Sequence, residues 1–318
     1  MGSAMATVAA GRGHDVRLWG TWLDDGLLDP VEKGGLHPRL KLPLTGMQIF
    51  RSARLGEALA GADLVIHAVN SEGAVPVMLK ARASLGDVPI LSVTKGFLES
   101  STGRMDRIDI VLAGVAGRPL RFVHAAGPAK AMEIARGVLT WMVFAGSDGE
   151  LCAGALAGGH LHVDTSDDLP GAEICSALKN AYATGLGIWD GLVGKDAHNA
   201  RAACFTQAIV EMRRLVSAGG GREETVHGAP GVGDLHVTAA GGRNRAFGER
   251  VGQGRPAGEV AAEMLAAGEL TEGYPAIASA WRWARERGVT DLPLLHALHA
   301  IVWEGAGVVE TLRRLRLG

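Results

Sequence analysis

A single ammonium interrupts an apolar, small-residue segment: Ala172-Glu173-Ile174-Cys175-Ser176-Ala177-Leu178-Lys179-Asn180-Ala181-Tyr182-Ala183-Thr184-Gly185-Leu186-Gly187-Ile188-Trp189. Apolar or small residues at 174, 177, 178, 181, 185 and 188 follow helical spacing, which predicts a core helix carrying Lys179. An ammonium taken out of water loses several kcal/mol of hydration unless something compensates it. Burial also lowers a lysine pKa, which suits the amine to proton transfer. Asn180 adds an amide able to orient a polar ligand. A lysine snorkelling from a half-buried helix explains this window equally well. Other segments favour chemistry.

Three further segments carry reactive or anion-binding side chains. An apolar stretch, 88–93, ends in Thr94-Lys95-Gly96, and open parallel sheets bind ligands beyond the carboxyl ends of their strands. Lys95 is therefore placed to meet an anion, although a solvated lysine after a strand is also common. A second strand runs through Gly127-Pro128-Ala129-Lys130-Ala131 into a predicted helix, whose amino end would offer free N–H groups. A plain turn is the alternative. The third is Gly231-Val232-Gly233-Asp234-Leu235, followed by Gly241-Gly242-Arg243-Asn244-Arg245. Arginine after glycines at a helix start suits bidentate phosphate binding, and Asp234 is a candidate partner for the Lys179 ammonium; a helix cap at Asp234 and surface charges at Arg243 and Arg245 are the alternative.

The elements that would position these groups divide near residue 170. Before it, strand-like stretches at 15–19, 47–50, 63–69, 88–93, 121–124 and 138–145 are interspersed with helical ones at 3–10, 54–60 and 75–83. That alternation predicts an α/β fold with a doubly wound, Rossmann-like, mostly parallel sheet over 1–170. Beyond it, 171–318 reads as an all-helical domain: 172–192, 196–219, 257–268, 272–288 and 292–316, with a glycine-rich interruption at 228–243. The first ten residues read as a first crossover helix, with 15–19 as the second strand. The usual first strand and opening Gly-x-Gly of a dinucleotide fold are not seen, and Gly2 takes the place of the third glycine.

Composition narrows the function classes. A net charge of −2 gives no electrostatic argument for nucleic acid or an anionic membrane. Glycine, 46 of 318 residues, is about twice its average share and suggests tight turns and close backbone approaches. Cys152, Cys175 and Cys204 are widely spaced among apolar residues, as in a reduced cytoplasmic protein, and no zinc site is expected. No apolar run approaches the roughly 20 residues of a membrane span, and no signal peptide is read. His296 and His299, near Trp303 and Glu304, have metal-like spacing but no third ligand in sequence, so packing is the preferred reading. Trp281 and Trp283 read as part of a helix–helix seam.

Taken together, Thr94-Lys95-Gly96, Ala177-Leu178-Lys179-Asn180, Gly233-Asp234-Leu235, Gly242-Arg243-Asn244-Arg245 and Glu272-Gly273 occur in the order and spacing of a known family. So does Asp196-Ala197-His198-Asn199-Ala200-Arg201-Ala202-Ala203. The chain resembles the NAD(P)-dependent glycerol-3-phosphate dehydrogenases over nearly its whole length. The resemblance implies reversible reduction of dihydroxyacetone phosphate to sn-glycerol 3-phosphate, with Lys179 as catalytic acid/base and NAD or NADP as cofactor. It implies that Lys95 serves substrate and cofactor, and that Asp234 completes the polar network. Gly242, Arg243 and Asn244 match the substrate-phosphate loop, where Arg243 also approaches the cofactor. Gly127, Ala129 and Ala131 match the turn lining the site. Met1, Gly2, Thr21, Leu270 and Glu272 match cofactor positions. A homodimer is implied too.

No Asp or Glu directly follows the strand before Thr21, so neither NAD nor NADP is selected. Ala129 stands where bacterial members usually have Ser or Thr, the strand at 160–164 is less aromatic than usual, and Gln207 replaces a commonly basic residue. Two alternatives accompany this reading: a dehydrogenase of the related hydroxyacid superfamily, and a catalytically impaired binding protein lacking the cofactor turn.

Overall fold

The computed structural model describes residues 1–196 and 198–315. Ala197 of the Asp196–Ala203 motif and Arg316 of the last predicted helix lie outside the described residues. The chain divides into two units: Met1–Thr94 with Ile108–Leu169, and Lys95–Arg107 with the residues from Pro170 onward.

Unit 1 runs α1 (Gly2–Gly11), β1 (Val16–Trp19), α2 (Asp25–Glu32), β2 (Met47–Phe50), α3 (Leu55–Leu59), β3 (Val65–His67), α4 (Ser71–Ala81) and β4 (Ile90–Ser92). The chain then leaves for unit 2 through β5 (Leu98–Glu99) and β6 (Met105–Asp106), a small antiparallel hairpin. It returns as α5 (Ile108–Ala116), β7 (Phe122–Ala126), α6 (Ala131–Ala135), β8 (Thr140–Ala145), α7 (Gly149–Leu156) and β9 (Leu161–Ser166). β1 and β2 pair in parallel, and a second sheet has the order β3-β4-β7-β8-β9. Only its β7–β8 pairing is antiparallel. β4 and β7 are buried along their whole length, as strands covered on both faces must be. Leu91, Val123, Met142 and Phe144 meet Met5 of α1 and Leu156 of α7 in the core.

Unit 2 is helical: α8 (Leu169–Val193), α9 (His198–Ala218), α10 (Glu223–His227), a π-helical turn (Ala229–Gly233), α11 (Asp234–Ala239), α12 (Arg243–Gly252), α13 (Ala257–Ala266), α14 (Gly273–Glu286), α15 (Pro293–Trp303) and α16 (Val308–Arg314). α8 is buried from Gly171 to Ile188 without a break. A helix apolar on all sides belongs at the centre of its domain, and 25 residues give it a length of about 37 Å.

The glycine-rich 228–243 interval is more ordered than the sequence reading expects, since it holds the π turn and α11. The predicted single helix over 292–316 is instead two. Gly305 adopts φ 71° and the Ala306 N–H bonds back to the Ala300 carbonyl at 2.9 Å, closing α15 with a left-handed cap. No described helix is long and apolar enough to cross a membrane.

Candidate active site

Lys179 lies in the middle of α8, and its Nζ donates to Oδ1 of Asp234 at 2.6 Å. Lys95 reaches the other oxygen, Nζ to Oδ2, at 2.5 Å. Asp234 is fully buried, and the two lysine side chains are 14% and 10% exposed at Lys95 and Lys179. Asp234 opens α11 directly after the π turn, an element often found at functional sites. A Cβ at Gly231 would overlap the Val226 carbonyl, so the turn closes this tightly only with glycine there.

Two ammonium groups share this carboxylate and leave one positive charge in excess. Burial is the chief cause that pulls the Lys179 pKa down to about 8, aided by the Lys95 charge and opposed by Asp234. Burial acts on Lys95 in the same sense, but the Asp234 carboxylate and the Glu272 charge outweigh it and hold that ammonium above its ordinary value. Burial would raise the Asp234 carboxyl, yet the two ammonium groups prevail and keep it below the usual range.

A ring of amides adjoins the lysine. Asn180 donates Nδ2 to Glu272 Oε2 at 3.0 Å, Asn244 donates Nδ2 to Asn180 Oδ1 at 2.8 Å, and the Gly273 N–H returns to Asn244 Oδ1 at 2.9 Å. The ring ties α8 to the starts of α12 and α14. What allows it is close helix packing: a Cβ on Gly187 or Gly191 of α8 would overlap the carbonyls of Arg245 or Glu249. In turn, a Cβ on Gly248 or Gly252 of α12 would overlap those of Thr184 or Ile188. The two backbones touch.

That crossing delivers Arg243 to the first position of α12, after Gly242 at φ 115°. Among the described residues no side chain caps this helix start. Arg243 is exposed and has no hydrogen-bond or ion-pair partner among the described residues. Arg245, which sequence spacing associates with Arg243, is used elsewhere. Its Nε meets buried Asp190 at 2.7 Å, and Arg201 meets the same carboxylate at 3.3 Å.

The remaining candidates lie in unit 1, apart from half-buried Leu270 just before α14. Met1 and Gly2 begin α1, where a Cβ on Gly2 would stand 3.0 Å from Ala68 Cβ. Gly127 follows β7 at φ 121°. Ala129 and Ala131 follow it, but α6 begins only at Ala131, so Pro128 precedes the helix and is not its first residue. Thr21 follows β1, and Asp24 folds back on it: Thr21 N and Oγ1 donate to Oδ2 at 2.8 and 2.7 Å. A carboxylate thus reaches a strand end where adjacency in sequence shows none. His299 stacks on Trp281 at 3.9 Å and faces Glu304, whereas Trp283 stacks on Phe97 at 4.8 Å.

Comparison with known proteins decides the family. Residues 1–152 match the model of the NAD-dependent glycerol-3-phosphate dehydrogenase N-terminus, and 168–313 match that of its C-terminus. The chain belongs to the NAD-dependent glycerol-3-phosphate dehydrogenase family. It is 32% identical to the NADP(+)-dependent glycerol-3-phosphate dehydrogenase of Archaeoglobus fulgidus over 99% of this chain and 96% of the relative. It is 36% identical to the glycerol-3-phosphate dehydrogenase [NAD(P)+] of Thiobacillus denitrificans, covering 99% and 94%. The crystal structure of glycerol-3-phosphate dehydrogenase from Coxiella burnetii superposes with a TM-score of 0.86 at 28% identity, covering 98% of this chain and 95% of that one.

The residues of this glycerol-3-phosphate dehydrogenase family member suit a dinucleotide. The amino end of α1 has no side-chain cap, its glycine permits close approach, and hydroxyl and carboxylate groups meet at the end of β1. Two polar groups beside the candidate residues were not singled out from the sequence. Asp24 is three residues past Thr21, and only the turn brings it back. Thr238 stands one helical turn after Asp234 on the same face of α11, its hydroxyl unpartnered among the described residues. The i, i+4 spacing from Asp234 was the available signal.

Proposed function

We propose that the chain catalyses the reversible NAD(P)-dependent reduction of dihydroxyacetone phosphate to sn-glycerol 3-phosphate. The observation that carries this reading is the buried Lys179–Asp234–Lys95 triad. Bound NAD(P)H supplies the hydride for carbon 2. Lys179 donates the proton to the carbonyl oxygen, and a pKa near 8 lets it give that proton near neutral pH and take it back in the reverse direction. Asp234 keeps the amine aimed, and Lys95 adds a second positive charge for the oxygen as negative charge develops there.

Arg243 and the uncapped amides at the start of α12 hold the phosphate. Asn244, with Gly242 beside it, fixes that loop through the amide ring. In this reading Met1, Gly2, Thr21, Ala131, Leu270 and Glu272 are cofactor contacts, and Gly127 and Ala129 are substrate contacts. The Arg243 guanidinium, unpartnered among the described residues and beside the open start of α12, suits a dianionic phosphate, whose oxygens can take both kinds of donor. We further read the protein as a cytoplasmic homodimer, a state that light scattering would test.

The deciding experiment follows NADH and NADPH oxidation with dihydroxyacetone phosphate against a panel of 2-oxoacids, and NAD+ and NADP+ reduction with sn-glycerol 3-phosphate against β-hydroxyacids. Turnover of the phosphorylated ketone, reduced about 10²–10⁴-fold in a folded Lys179→Ala variant, is the expected result. Undiminished turnover in that variant, or a preference for the unphosphorylated acids, would overturn the assignment.

A further inference from the structure

Residues Lys95–Arg107 group with the helical unit although they lie between two strands of the other. Their hairpin strands are two residues each, too short to persist without support. α14 provides it. Phe97 stacks on Trp283 with rings 4.8 Å apart and 15° from parallel, and Trp283 is fully buried. The Arg287 guanidinium lies 4.1 Å from the Trp283 ring centre and bonds to the Met105 carbonyl and Asp106. Glu286 accepts the Met105 N–H at 2.8 Å. Arg282 brackets the hairpin, reaching Glu99 and the Gly103 carbonyl.

We propose that Phe97, Trp283 and Arg282 are positioning residues that hold Lys95 on Asp234. The lysine stem has four rotatable carbons, and Gly96, at φ 130°, is the one residue between it and Phe97. Without a fixed backbone two residues away, the ammonium would be free to withdraw to water, which favours it over a buried site. The aromatic stack removes that freedom. Its catalytic meaning rests on the function proposed above, but the positioning claim is measurable without turnover. The charged groups that act on Lys179 are Asp234 and Lys95, with Glu272 acting on Lys95 and the Asn180 amide alongside. Releasing Lys95 takes a like charge away from Lys179 and leaves it the whole carboxylate.

Competitive acetylation of the folded protein across pH, read by peptide mass spectrometry, gives separate titration midpoints for the two lysines. Phe97→Leu should raise the Lys179 midpoint by about one pH unit. Arg282→Ala, at a partly exposed side chain, should raise it in the same direction. Trp283→Phe, which keeps an aromatic partner, should leave it near wild type. Leu298→Ala, a core truncation under Gly185 and away from the hairpin, is the control that should lower stability without moving either midpoint.

Unchanged midpoints in Phe97→Leu and Arg282→Ala, or an equal shift in Leu298→Ala, would overturn the proposal. If Phe97→Leu does not fold, Arg282→Ala decides. A shifted midpoint in a protein that reduces no phosphorylated ketone would sink the function and leave the positioning role standing.

Discussion

Asp234 is fully buried and ionised because Lys179 stands 2.6 Å from one of its oxygens. A lone buried carboxylate would take up a proton instead. With Lys95 on the other oxygen, the triad keeps one surplus positive charge, which in the proposed reaction would face the carbonyl oxygen as it gains negative charge.

The sign of the pH dependence follows from Lys179. In the proposed reaction the ketone takes its proton from the Lys179 ammonium, so kcat/KM for reduction should fall as pH rises through about 8. Alcohol oxidation needs the neutral amine and should rise through the same region. Steady-state profiles in both directions would check this crossing.

Removing the shared carboxylate should cost stability as well as rate. Asp234→Ala leaves two ammonium groups without their counter-ion, a loss of about 3–5 kcal/mol by urea unfolding. In the wild type the depressed Asp234 pKa contributes stability above the unfolded carboxylate value of about 4. That contribution should disappear as pH falls through the lower native value.

Arg243 and Arg245 should separate in their effects. Arg243→Ala should raise KM for the phosphorylated ketone by roughly 10²-fold with unfolding unchanged, since a charged hydrogen-bonded contact is worth about 1.5–3 kcal/mol. Arg245→Ala should lower stability, because it strips a guanidinium from buried Asp190. Paired kinetics and thermal melts distinguish the two.

Asp24 should bear on cofactor choice. Its carboxylate sits on Thr21, where a 2′-phosphate would meet negative charge. Asp24→Asn should raise the ratio of kcat/KM for NADPH over NADH several-fold, and dissociation constants from tryptophan quenching should move the same way.

Much of the site was legible because its residues sit on strongly patterned elements. The apolar spacing around Lys179 marked α8, and the strand ending at Thr94-Lys95 marked β4. Asp234 was visible as a carboxylate among glycines, although the π turn before it was not, since it depends on Gly231 meeting the Val226 carbonyl. The β5–β6 hairpin escaped notice because its two-residue strands have no period and owe their shape to Trp283 and Arg282, far along the chain. Arg245 looked like a partner of Arg243, and only the fold shows buried Asp190 claiming it.

The crossing of α8 and α12 has a consequence for selectivity. Glycine backbones in direct touch, at Gly187 and Gly191 against Gly248 and Gly252, make the gap between the proposed proton donor and the proposed phosphate anchor a rigid ruler. Side chains can repack, but two abutting peptide chains have little room to yield. Lengthening the substrate by a single carbon should therefore misalign one end or the other, and an alanine at Gly248 would recalibrate the ruler for every substrate at once.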